Sequence, residues 1–170
     1  MIAADYCETM AHYNTWQNNQ MKAALEALDE EALRRDRGAF FGSIMGTVNH
    51  LLWGDHIWLA RFSGTPPPAG SIGESVDLCP TIAAWGAERF GVDARMILWA
   101  EKLRNIDLRG DLSWYSAVAG HEVHKPLVIC ITHMFNHQTH HRGQVHAMVT
   151  AAGGVGWTTD LAFMPDAARA

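Results

Sequence analysis

His133-Met134-Phe135-Asn136-His137-Gln138-Thr139-His140-His141-Arg142-Gly143-Gln144-Val145-His146 packs five histidines into 14 consecutive residues. Leu127, Ile131, Met134, Val145, Met148 and Val149 recur around this run at helical spacing. The pattern predicts one long helix from about Pro126 to Ala152, stopped by Gly153-Gly154. Helical geometry, at about 100° per residue, then sorts the histidines. With His133 at zero, the apolar face centres at roughly 110°, His141 falls near 80° and His137 near 40°. Both therefore lean toward the interior, while His133 and His140 lie on the rim and His146 on the outer half. His137 and His141 are spaced i, i+4, which aims two imidazoles at one point, the spacing a helical metal site needs.

Three further segments read as helices. The first runs from about Ala3 to Leu33, ended by Arg34-Arg35-Asp36-Arg37-Gly38. The second starts near Ser43 and must stop before Gly64-Thr65-Pro66-Pro67-Pro68-Ala69-Gly70, because consecutive prolines remove donors. The third opens at Cys79-Pro80-Thr81, with Pro80 in its first turn, and reaches about Asn105. The stretch through Ser75 is the longest linker, with room for a site-covering loop. Leu112 to Val123 reads as a short β-hairpin or a loop. Four long helices with one longer crossover predict an all-α four-helix bundle, a single domain over residues 1–170.

Two ligands seldom make a useful divalent site, so a third is expected from another helix. The second helix supplies His50, whose neighbours on its side, Ser43, Gly46, Thr47 and Gly54, are all small. Small neighbours leave space for an ion and a substrate where leucine would fill it. His56 lies on the other side of that helix. Three imidazoles with an open position describe a catalytic metal site rather than a closed structural one.

Composition sets limits on the alternatives. The chain has 170 residues, 48% apolar and 18% charged, with a formal charge of -5, which speaks against electrostatic binding of nucleic acid. The start of the chain has neither the basic residues nor the apolar run of a secretion signal, and no window is apolar enough to span a membrane. Cys7, Cys79 and Cys130 are far apart and form no CxxC pair, so they are expected as buried free thiols in a reducing cytoplasm.

The run from His133 to Gln144 resembles the signature of the DinB-like family of four-helix-bundle metalloproteins. Tyr13-Asn14-Thr15-Trp16, Phe41-Gly42-Ser43, Asn49-His50-Leu51-Leu52-Trp53-Gly54-Asp55 and the late Thr159-Asp160-Leu161 match it as well. The resemblance covers nearly the whole chain. It implies an up-down-down-up bundle, a divalent metal, zinc or nickel, on His50, His137 and His141, and a homodimer. Some relatives are similar to thiol-dependent enzymes, so it also implies a small-molecule substrate such as a low-molecular-weight thiol. A thiol S-transferase is the most concrete activity. A metal-dependent hydrolase and a non-catalytic, dimeric metal-binding stress-response protein are the alternatives.

Other residues carry narrower expectations. Asp55 points inward, either to orient a ligand histidine or to pair with an arginine or a helix end. Gln144 is a substrate contact or a solvated rim residue. Arg142 is expected in an ion pair or an interface, and Gly143 at a close helix–helix approach. Trp53, Trp58, Trp85 and Trp99 are expected in the core or at a dimer surface, and Trp114 at the pocket mouth. His12, His56, His121, His124, His133, His140 and His146 are read as ordinary.

Overall fold

A computed structural model of the chain describes residues 2–168; Met1, Arg169 and Ala170 of the expected 1–170 domain lie outside the described residues. The helices are α1 (Ala4–Glu26), α2 (Glu30–Arg34), α3 (Ile44–Ser63), α4 (Ile82–Glu101) and α5 (Leu127–Ala151). A hairpin of β1 (Asp111–Ser116) and β2 (His121–Pro126) joins α4 to α5, pairing Trp114 with Val123.

The expected first helix is divided in two. Asp29 accepts a hydrogen bond from the Ala32 amide at 2.7 Å, so it caps a new helix and ends the continuity. Ser43 caps α3 through the Gly46 amide in the same way, and Thr81 caps α4 through Ala84. Pro80 therefore precedes the cap rather than sitting in the first turn. Helix α4 also stops short of Asn105, whose side chain instead accepts from the Ala4 amide at 2.9 Å.

Cross-helix contacts give the helix directions. Ala4 meets Asn105 and Asn14 meets Asp93, so α1 and α4 run antiparallel. Tyr6 packs edge-on to Phe135 and Asn14 meets Arg142, so α1 and α5 run parallel. Trp85 donates to the Val48 carbonyl and Arg89 pairs with Asp55, which makes α3 and α4 parallel. The bundle is all-α and up-down-down-up, its helix ring running α1, α4, α3, α5.

Met21, Leu25, Ile44, Leu51, Leu52, Trp85, Met96, Ile131 and Met134 fill the core. Cys7, Cys79 and Cys130 are buried and free, and burial pushes the Cys7 thiol up to about 11. Among the described residues no helix is long and apolar enough to cross a membrane.

Candidate metal centre

Helix α3 turns His50 and Gly54 toward α5, and α5 answers with His137 and His141. His137 Nε2 lies 3.2 Å from His50 Nε2 and 3.1 Å from His141 Nε2. Two nitrogens bound about 2.0–2.1 Å from one tetrahedral ion lie about 3.3 Å apart, so the spacing fits a shared ion. Among the described residues these three form the one group of histidine, cysteine or acidic side chains placed to hold a metal.

The outer nitrogens explain the ring orientations. Ser75 Oγ donates to the Ile72 carbonyl at 2.6 Å and so accepts from His50 Nδ1 at 3.0 Å. Gln144 Oε1 accepts from His141 Nδ1 at 2.7 Å. With their protons on Nδ1, His50 and His141 both present bare Nε2 lone pairs inward. His137 has one Nε2 proton at most, which can serve only one of them, whereas a cation satisfies all three. Its own Nδ1 is buried with no hydrogen-bond partner.

Local sequence fixes these positions. Asn49, one residue before His50, donates to the carbonyls of Val76 and Cys79 at 2.8 and 3.0 Å. That clamps the linker down and sets Ser75 over His50. A Cβ at Gly54 would lie 2.8 Å from His137 Cε1, so this glycine makes the space for the ring. Phe41 stacks on His50 with centroids 3.8 Å apart, forming one wall. Burial, reinforced by the neighbouring imidazoles, pushes His50 and His137 down to about 3 and lowers His141 too. All three are neutral near pH 7, the form that binds metal.

Asp55 does not touch a ligand histidine. It pairs with Arg89 at 2.6 Å and accepts from Gln138 at 2.9 Å, fully buried. Arg89 also meets Asp93 at 2.8 Å, and Asn18 donates to Asp93 at 3.0 Å. Arg142 completes this polar layer by donating to Asn14 and lying over the Tyr13 ring at 5.4 Å. It is buried within one chain, not in the expected ion pair or interface, and burial pushes it down to about 10. Two arginines and two aspartates balance the charge of a layer below the histidines. The sequence reading missed Arg89, Asp93 and Gln138, although their i, i+4 spacing on α4 marked Arg89 and Asp93 as a pair.

Several other expectations need correction. Gly143 has nothing within 4 Å of an added Cβ, so no helix approaches it. Gln144 is not a free rim residue, because its oxygen accepts from His141 and orients that ring. His133 is part of the site's surroundings, 5.9 Å from His137 by ring centroid and edge-on to Trp58. Trp114 packs edge-on against Trp58 in turn, and Arg61 lies over both indoles at 4.6 and 5.0 Å. His146 accepts from the Trp157 amide at 3.3 Å and fastens the C-terminal segment. His56 faces away, contacting Arg95, while His121 and His124 belong to the hairpin.

Comparison with known proteins agrees with this architecture. The chain is 24% identical over 172 residues to Protein DinB of Bacillus subtilis (strain 168), covering 92% of each. The crystal structure of a DinB-like protein from Bacillus cereus ATCC 10987 superposes with a TM-score of 0.60 at 17% identity, covering 85% of this chain and 91% of that one. The sequence model of the DinB family matches residues 1–169, and the chain belongs to that family.

Proposed function

We propose that His50, His137 and His141 bind a divalent ion, zinc or nickel, and that the protein is a metal-dependent thiol S-transferase. The observation that carries the reading is the convergence of three neutral imidazoles, with His137 Nε2 at 3.2 and 3.1 Å from the Nε2 atoms of His50 and His141, whose protons are tied outward. When bound, such an ion supplies Lewis acidity that lowers the pKa of a coordinated thiol. Ser75 and Gln144 hold the two outer rings in the ligating tautomer, and Phe41 shields His50 from water. Trp58 and His133 give an aromatic flank for the electrophile. The family resemblance extends the proposal to a cytoplasmic homodimer acting on a low-molecular-weight thiol.

The geometry favours transfer over hydrolysis. A hydrolase needs a general base, and the buried acids below the histidines, Asp55 and Asp93, are committed to Arg89, Gln138 and Asn18. The test is to incubate zinc- or nickel-loaded protein with a panel of low-molecular-weight thiols and monochlorobimane. A thiol conjugate that needs metal and is lost in His137→Ala supports the reading. Ester hydrolysis without conjugate formation overturns it in favour of a hydrolase. Stoichiometric metal with neither activity overturns it in favour of a binding protein.

A further inference from the structure

A cavity of about 840 Å3 lies between the C-terminal halves of α3 and α4, on the side of α3 that carries His56 rather than His50. Its volume is within the roughly 300–1,000 Å3 of small-molecule sites. Its floor is largely apolar. Phe62 stacks between Trp58 and Trp99, with centroids 5.8 and 5.2 Å away, which leaves the outer face of Trp99 beside Leu59, Leu98 and Leu103.

The covering loop is built to hold its place. Gly64 takes φ 68° to turn the chain out of α3, and the Thr65 amide bonds back to the Ala60 carbonyl at 3.1 Å. Pro66, Pro67 and Pro68 then run along the cavity as a stiff segment without N–H donors. Trp53 Nε1 fastens the far end by donating to the Ala69 carbonyl at 3.3 Å.

Charge at the rim selects the ligand. Arg95 on α4 and Lys102 at its C-cap are seven residues apart, and among the described residues no carboxylate makes an ion pair with either. Among the described residues the one hydrogen-bond partner of the Arg95 side chain is the His56 ring, at 3.1 Å. Asp107, the acid of the lining, is held by Arg104 at 2.8 and 3.0 Å, so its charge is already answered. Two exposed cations without carboxylate partners, beside the outer face of Trp99, fit a flat apolar body with one anionic end.

We propose that this cavity binds a small aromatic carboxylate, its ring against Trp99 and Leu98 and its carboxylate on Arg95 and Lys102. The site is separate from the histidine cluster and does not depend on its chemistry.

The test titrates full-length, metal-loaded protein with 1-naphthoate and with the neutral 1-naphthalenemethanol, followed by calorimetry and tryptophan fluorescence. The expected result is saturable 1:1 binding of naphthoate, about tenfold tighter than the alcohol, as one charge-assisted contact would give. The double variant Arg95→Ala/Lys102→Ala removes that difference while metal content stays unchanged. Leu98→Glu, at an exposed wall position, weakens naphthoate more than the alcohol. Equal binding of acid and alcohol overturns the proposal, as does preference for the acid surviving in the double variant. Absence of saturable binding at millimolar naphthoate overturns it too. Self-association abolished by the same substitutions would assign the face to a second copy and equally overturn it.

Discussion

His50 Nε2 lies 3.2 Å from His137 Nε2, although 87 residues separate them in the chain. Antiparallel packing of α3 on α5 makes that contact, and Gly54 keeps it open by leaving its Cβ position to the His137 ring. The two rings belong to one cluster only because a small residue follows His50 by a helical turn.

Gly54→Ala is therefore expected to weaken metal binding, because the new methyl would sit 2.8 Å from His137 Cε1 and displace the ring. Gly143→Ala, with open space around it, should instead stabilise the fold by about 0.5–1 kcal/mol. Metal competition titrations with urea unfolding of both variants check the pair. Equal metal affinity for Gly54→Ala and the parent would contradict the space-making role.

Ser75→Ala and Gln144→Ala each remove the acceptor of an outer imidazole proton. Loss of such a partner costs about 10–100-fold in metal affinity. Both residues touch their histidine by the side chain alone, so circular dichroism should show an unchanged fold while competition against a chelator shows the loss. Unchanged affinity in both variants would mean the ring orientation is set by packing.

Asp55→Ala would leave Arg89 buried beside an unbalanced layer. Breaking a buried ion pair by removing one partner costs about 3–5 kcal/mol. The urea midpoint should fall accordingly, and Asp55→Asn should also destabilise, since it keeps the shape and loses the charge. A change within about 0.5 kcal/mol, typical of surface substitutions, would contradict the burial of this pair.

His56 gives a pH signature away from the metal. Burial, with help from Arg95 and Arg89, pushes it down to about 4 from the ordinary 6.5. Between those values the unfolded chain binds the proton and the folded chain does not, so stability falls as pH falls. The contribution is fully present above about pH 6.5 and lost progressively toward pH 4. His56→Gln should flatten that part of the stability profile measured by thermal unfolding. A parallel pH profile in the variant would contradict the shift.

The fold and the trio could be read from sequence for a common reason: both rest on periodicity within single helices. His137 and His141 share a face by spacing, and small residues around His50 marked a space. Contacts made across long loops were not readable in this way. Ser75 reaches His50 only because Asn49 clamps the linker, and Phe41 stacks on His50 from a turn without regular spacing. The break before Asp29 did carry a local signal, an aspartate three residues ahead of the amide it caps, but the apolar spacing ran through it. Arg142 and Gly143 misled because neighbouring positions in one helix face different surroundings, a packed polar layer and open solvent.

The most direct measurement is elemental analysis of the purified protein beside His137→Ala and His50→Ala. The cluster geometry predicts about one divalent metal ion per chain in the parent. Both variants should lose that ion while keeping a helical circular dichroism spectrum. A parent protein that takes up no divalent metal, or variants that retain it in full, would contradict the assignment of His50, His137 and His141 as its ligands.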